Sequence, residues 1–334
     1  MILVSFGTRP EWIKIKPILD AFDYSKVPYR VLFTGQHEDL IKNVQNCLAL
    51  NIKPGDNRLD SIVASVLNNN QIFHRITSVL VQGDTTSSFA VALAAFHRNK
   101  KIIHLEAGLR TYNKSHPYPE EFNRRSISAM ADIHLCPTEL TRQNLITENF
   151  KDNIFVVGNS VLDNLINLKV SETNKIIITL HRRENHDNIR LWFKEIEKIA
   201  NHHHELDFFI PLHPNPNVAQ HRDVFKKVRV IEPLQYEQFI TEIAQCKMII
   251  TDSGGIQEEA SFLGKHCLVC RDTTERPESL GEYSTLVQIQ TLHTAFEKQL
   301  RAVPSTTQCP FGDGQTSKRV VMILNKLNKN ERLY

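Results

Sequence analysis

Cysteine is scarce in this chain, with six in 334 residues, at positions 47, 136, 246, 267, 270 and 309 and without a repeating spacing. That speaks against a disulfide framework and for a reducing compartment, the cytoplasm. No apolar run approaches the roughly 18 residues of a membrane span. The opening Met1-Ile2-Leu3-Val4-Ser5-Phe6-Gly7 lacks the basic stretch and long apolar core of a secretory leader. An excess of one charge is missing too. The 40 basic and 37 acidic residues are mixed along the chain, and the net charge of +3 selects no nucleic-acid partner. There are no repeats at solenoid periods, no low-complexity tracts and no G-x-x-x-x-G-K-[ST] triphosphate loop. What remains, 41% hydrophobic and 23% charged, is the composition of an ordinary globular protein.

Two short motifs hint at metal but read more simply. Cys267 and Cys270 lie in an apolar run that predicts a buried strand, where residues three apart face opposite sides. They are expected to be core thiols. His202-His203-His204 falls between a helical pattern and the next apolar run and predicts a solvated helix end. No metal or other cofactor is expected.

The chain is too long for one core, so two domains of about 150 residues are the starting expectation. Short β-rich runs alternate with amphipathic stretches, the pattern of parallel sheets covered by helices. Strands are predicted at 2–6, 30–34, 78–82, 101–106, 133–136 and 154–157, with helices at 12–22, 40–50, 86–96 and 124–131. A second series predicts strands at 176–180, 206–211, 228–231, 248–251 and 267–270, with helices at 189–201, 236–246 and 255–263. The polar, helix-like stretch 158–174 predicts the connection. This is an α/β chain of two Rossmann-like domains facing a central cleft, whose ligands are expected beyond the carboxyl ends of the strands.

Polar clusters sit at those ends. After the first strand comes GTRPEWIKIKP, in which Gly7 suits a tight turn and Pro10 a first helical turn. Arg9 beside that helix start predicts an anion site, whereas Glu11 reads as a first-turn dipole partner. Lys14, a turn later, reads equally as a ligand contact or a surface charge. Asp84 follows the strand at 78–82, Glu106 ends the strand at 101–106, and Glu120 enters the helix that carries Arg124. Singly each acid has a bland reading, a cap for Asp84 above all. Together on one sheet edge they predict a base and an acid tuned by mutual repulsion, with Arg9, Lys14 and Arg124 balancing the charge. In the second half, TDSGGIQEE opens a helix with small residues that let backbone N–H groups approach a diphosphate. Glu259 is placed to accept ribose hydroxyls. HRREN with His181, HPNPN with His213, and RDTTERPE with Arg276 follow other strands of that sheet.

The motifs GTRPEWIKIKP, GDTT, HLEAGLRT, PYPEEFNR, PTELTRQNL, HRREN, HPNPNV, TDSGGIQEEASFLGK, RDTTERPE and PFGDG run in order from residue 7 to 314. Their combination resembles the non-hydrolysing UDP-N-acetylglucosamine 2-epimerases. The resemblance implies a glycosyltransferase-B-type fold with domains at 1–168 and 169–314, and a helix at 315–334 crossing back onto the first. It implies a homodimer, and inversion at carbon 2 of a UDP-N-acetylamino sugar by elimination and re-addition of UDP through a 2-acetamidoglucal. On matching positions Asp84, Glu106 and Glu120 resemble the catalytic acids and bases, with His181 as an acid for the leaving group. Arg9, Lys14, Arg124 and His213 resemble sugar or phosphate contacts. Ser253, Gly254, Gly255, Glu259 and Arg276 resemble the UDP site, with Phe239 beside the uracil. Gln36 and His37, with Arg182 as a further candidate, resemble an activator site for a second substrate molecule. The segment 51–78 is shorter than in many bacterial relatives, and Trp12 replaces what is often a smaller residue. A hydrolysing epimerase, a UDP-sugar glycosyltransferase and a nucleotide-sugar sensor are the alternatives on the same architecture. The substituents of the sugar stay open.

Overall fold

The computed structural model describes residues 1–36, 47–53, 55–302 and 308–328. They form two compact units, one of Met1–Asn164 joined by the chain from Gly312 onward, the other of Leu165–Phe311.

The first unit runs β1 (Ile2–Phe6), α1 (Arg9–Tyr24), β2 (Tyr29–Phe33), β3 (Cys47–Ala49), α2 (Arg58–Leu67), β4 (Ser78–Gln82), α3 (Thr86–His97), β5 (Lys101–Leu105), α4 (Glu120–Met130), β6 (Ile133–Cys136), α5 (Glu139–Thr147) and β7 (Ile154–Val156). Its described strands pair in parallel in the order β3-β2-β1-β4-β5-β6-β7. The central strands are apolar on both faces because helices cover both. Along β1, Leu3 joins a core with α2 and α3, while Val4 and Phe6 join another with Ile15, Ile18 and Phe22 of α1.

The second unit runs β8 (Lys175–Thr179), α6 (Ile189–His202), β9 (Asp207–Pro211), α7 (Pro216–Ala219), β10 (Arg229–Ile231), α8 (Tyr236–Gln245), β11 (Met248–Thr251), α9 (Gly254–Phe262), β12 (His266–Val269), β13 (Ser284–Leu286) and α10 (Leu292–Leu300). The parallel order is β10-β9-β8-β11-β12-β13. The chain then returns to the first unit as α11 (Thr316–Asn328), whose Val320, Val321, Ile323 and Leu324 complete the core on the α1 side.

Both sheets reverse their winding beside their first strand, at β1/β4 and at β8/β11. Chain leaving the carboxyl ends of those strands diverges to opposite faces and leaves a crevice there, which is where such sheets take ligands.

Two expectations need correction. The helix at 40–50 is not formed at its end, where Cys47–Ala49 is instead a short parallel edge strand against Val31–Phe33. Leu48 and Ala49 are exposed there, which explains the weak strand pattern. The stretch 158–174 holds only a single 3₁₀ turn, Ser160–Asn164; past the buried Leu165 the chain is mostly exposed, with no continuous apolar face to hold a helix down. Cys267 and Cys270 are both fully buried.

Candidate active site

Thr8 and Glu11 close α1 with a reciprocal capping box. Glu11 does more than face a helix dipole. Its fully buried carboxylate accepts the backbone N–H groups of Gly7 (3.0 Å) and Thr8 (2.8 Å) and the hydroxyls of Thr8, Thr85 and Ser88. Burial raises its pKa above the usual carboxylate value, against the pull of those donors. The reading of Glu11 as a first-turn dipole partner is corrected accordingly, since it takes the Gly7 and Thr8 donors of the turn, beside the exposed Arg9. Gly7 permits the packing, since a Cβ there would lie 2.2 Å from the Ser87 hydroxyl and 2.4 Å from that of Thr34.

One turn into α1, Lys14 reaches the end of β5. Its ammonium lies 2.6 and 2.7 Å from the two oxygens of Glu106. Glu106 also accepts from Gln82 and, at 3.5 Å, from Asn159, and is largely buried. Its backbone is left-handed, at φ 66°, an uncommon conformation for a non-glycine residue and one that turns up at functional sites. The neighbouring strand end is tied to it, with Gly83 N–H donating to the Leu105 carbonyl at 2.9 Å. Asp84, next along, accepts from Arg124 at 2.5 Å, and Asn123 donates to its carbonyl. Arg124 also lies 3.4 Å from Glu121, whose carboxylate takes the N–H groups of Thr111 and Tyr112. Glu120 opens α4 four residues before Arg124, on the same helix face and half-buried. Lys14 and Glu106, and Arg124 and Asp84, thus meet as two cation–carboxylate pairs on adjacent strand ends.

Below Asp84, His104 is buried with its Nε2 at 2.9 Å from the Gly83 carbonyl, and burial drives its pKa down to about 3. His104 is therefore neutral and holds the turn that carries Asp84.

In the second unit Ser253 opens α9 without a side-chain cap bond, and Gly254 and Gly255 form its first turn. A Cβ on Gly254 would lie 2.7 Å from Nη1 of Arg276, whereas one on Gly255 would meet open space. Arg276 donates to Glu258 at 2.9 Å and pairs with Glu275 at 3.5 Å, and Arg271 joins Glu275 at 2.8 Å to Glu184 at 2.6 Å. Burial alone would raise the Glu275 pKa, but Arg276 and Arg271 override it and hold the group well below the carboxylate range. Tyr236 donates to Glu259 at 2.9 Å. Burial first, then the Glu259 charge, push that phenol far above its usual value, so it stays a donor. Phe239 lies one turn further along α8, half-buried.

His181 stacks on His213, with ring centroids 5.2 Å apart and planes at 13°. Burial lowers the His181 pKa despite the nearby Asp252, and Arg182 and His186 add to the lowering. His213 is lowered as well, by burial and then by His181. Arg182 donates its backbone N–H to Asp252 at 2.8 Å. Gln36 accepts from Ser87 at 2.7 Å, and its carbonyl takes Arg58 from the start of α2. His37 lies outside the described residues. Among the described residues, no group of three or more His, Cys, Asp or Glu side chains is placed to hold a metal ion. No described helix is long and apolar enough to cross a membrane.

The structure also brings forward residues to which the motifs assigned no chemistry. Glu11, His104, Tyr236 and Glu275 are buried polar groups beside the predicted ones, visible in sequence only as polar residues inside or abutting apolar strands and first helical turns.

Two parallel α/β units, one presenting paired carboxylates and cations and the other a glycine-opened helix backed by arginine, define a chain of the glycosyltransferase-B type. The profile of the UDP-N-acetylglucosamine 2-epimerases matches residues 21–325. The UDP-N-acetylglucosamine 2-epimerase of Bacillus subtilis is 38% identical over 96% of this chain and 93% of its own, and that of Campylobacter jejuni 36% identical over 99% of both. The solved structure of UDP-GlcNAc 2-epimerase from Neisseria meningitidis bound to UDP-GlcNAc superposes with a TM-score of 0.87 at 34% identity, covering 97% of this chain and 99% of that one. A Methanocaldococcus jannaschii UDP-GlcNAc 2-epimerase in complex with UDP-GlcNAc and UDP gives 0.83 at 29% identity over 97% of this chain and 99% of its own. The chain belongs to the UDP-N-acetylglucosamine 2-epimerase family.

Proposed function

We propose that this protein interconverts UDP-N-acetylglucosamine and UDP-N-acetylmannosamine without hydrolysis, by elimination and re-addition of UDP. The observation that carries the reading is the pairing of Glu106 with Lys14 and of Asp84 with Arg124 on adjacent strand ends. Carbon 2 of an acetamido sugar is a weak acid, so its proton is removed only as the carbon 1–oxygen bond gives way. A carboxylate takes that proton, the carbon–hydrogen electron pair becomes the carbon 1–carbon 2 double bond, and UDP departs with the bonding pair. In the return step a second acid delivers a proton to the opposite face of carbon 2, and a UDP oxygen adds to carbon 1. Asp84, Glu106 and Glu120 fill these proton-transfer roles, with Lys14, Arg124 and Arg9 offsetting charge on sugar and phosphate.

The second unit binds the nucleotide in this reading. The Ser253-Gly254-Gly255 turn and Arg276 take the diphosphate, Glu259 the ribose, Phe239 the uracil, and His181 beside His213 protonates the leaving UDP. No redox cofactor enters, since the sugar is neither oxidised nor reduced overall. A homodimer and a cytoplasmic location belong to the same reading and rest on the family resemblance and on sparse cysteines without a repeating spacing. Gln36, His37 and Arg182 are the candidates for a second, activating nucleotide-sugar site.

The test is incubation with UDP-N-acetylglucosamine in deuterated water, followed by proton NMR. Deuterium at carbon 2 of a UDP-linked product is expected. Free N-acetylmannosamine would show hydrolysis instead, and an unchanged carbon 2 would remove the reading.

A further inference from the structure

Asp252 follows β11 at the point where the second sheet reverses its winding, and it is fully buried. Its two oxygens are treated unequally. Oδ2 accepts the backbone N–H groups of His181 (2.9 Å) and Arg182 (2.8 Å) and the side-chain amide of Asn185 (3.0 Å). Oδ1 accepts no hydrogen bond and lies 3.7 Å from Nδ1 of His181. A buried carboxylate oxygen without a donor is costly and uncommon. The His181 imidazole is a side-chain donor beside it, just beyond hydrogen-bond distance.

One carboxylate therefore references both the backbone and the ring of His181. The other side of the ring is open, since the side chain keeps 38% of its exposure. The groups facing the imidazole are Asp252, Arg182, His186 and the stacked His213, and of these only Asp252 favours the charged ring. The arriving diphosphate is the second anion, and it comes from the open side.

We propose that Asp252 is the positioning residue for His181. It holds the Nδ1 proton toward Oδ1, turns Nε2 to the open side, and lets the ring carry a second proton once a diphosphate is bound. This rests on the epimerase reading only for the step it serves. As the carbon 1–oxygen bond breaks, the leaving β-phosphate oxygen takes the bonding pair and the Nε2 proton. His181 is left neutral, with Nδ1–H still facing Asp252, while the carbon 2 proton has gone to a carboxylate of the first unit.

Two measurements test this. Long-range proton–nitrogen NMR of the full chain, labelled at histidine nitrogen and assigned with His181→Gln, reads the tautomer between about pH 5.5 and 8.5 with and without UDP. Nδ1 is expected to stay protonated throughout, with only Nε2 titrating and its midpoint raised by UDP. A neutral ring in the UDP complex that bears its proton on Nε2 would overturn the proposal. This arm needs no Asp252 variant and no turnover, so it decides the matter even if Asp252→Asn does not fold or the chain acts on another sugar. In the kinetic arm, Asp252→Asn is expected to lower kcat about 100-fold, the size of a general-acid contribution, with KM changed less than about threefold. In the His181→Gln background the same substitution should cost less than about threefold. An undiminished loss there would show that Asp252 acts by some other route. Failure of the epimerase reading itself shows separately, as wild-type protein that places no deuterium at carbon 2.

Discussion

At the scale of single residues, Gly254 sits where backbone and guanidinium meet. Its missing side chain lets Arg276 pack across the first turn of α9, so alanine there would drive Cβ to 2.7 Å from Nη1. The guanidinium must then move away from Glu258 and from the turn. We expect Gly254→Ala to weaken UDP binding by about tenfold or more, the cost of one misplaced charge-assisted hydrogen bond, with the unfolding midpoint little changed. Isothermal titration with UDP checks it, and an undiminished affinity would show that the guanidinium gives way without leaving the turn. Most of the site's acids and cations were legible as charged residues just past apolar strands, and Lys14–Glu106 and Arg124–Asp84 turned out as direct pairs. Glu11 was not legible, because a first-turn glutamate beside a threonine cap looks the same whether it is solvated or buried. Burial depends on Thr85 and Ser88, which arrive from 74 and 77 residues away.

At the scale of elements, Glu11 joins the start of α1 to the start of α3. Its Oε2 collects the Gly7 and Thr8 donors, while its Oε1 faces two hydroxyls, those of Thr85 and Ser88. Backbone N–H groups cannot reverse, but hydroxyls can rotate and accept. Glu11→Gln is therefore expected to cost under about 1 kcal/mol, with its amide turned to the hydroxyls. Glu11→Ala, which strands several buried donors, should cost about 2–4 kcal/mol. Urea unfolding separates the two, and equal losses would show that the carboxylate's charge, not its acceptor geometry, matters. Strands such as β4, β6 and β11 were readable to the residue because short, mostly apolar runs buried on both faces stand out between polar stretches. The edges were not. β3 spans three half-exposed or exposed residues, and β13 reads Ser-Thr-Leu, so neither carries a pattern distinguishable from loop or helix. The short helices α2 and α5 were passed over for a related reason, since only two residues of each are buried.

At the scale of the whole molecule, both units bury histidines as neutral rings. Burial brings His104 to about 3 and His134 to about 4 in the first unit, and His266 to about 4 in the second. Above about pH 6.5 neither the folded nor the unfolded chain protonates them, and they have no pH effect. Below it the unfolded chain binds protons that the folded chain refuses, so stability falls steadily until the folded values near 3 to 4 are reached. We expect the urea midpoint to drop between pH 7 and pH 5, and His134→Asn to flatten part of that drop. A midpoint independent of pH over this interval would mean that the rings are protonated in the fold.

The return of the chain as α11 has a consequence for how the protein is made. The second unit is one continuous stretch, whereas the first is interrupted by it and takes Val320, Val321, Ile323 and Leu324 into its core only at the end. On the ribosome, the half that is translated first is thus the half that finishes last. Its sheet waits with one apolar face covered by α1 but not yet by α11 while the other half is synthesised and folds, a stretch of translation during which a chaperone has something to hold.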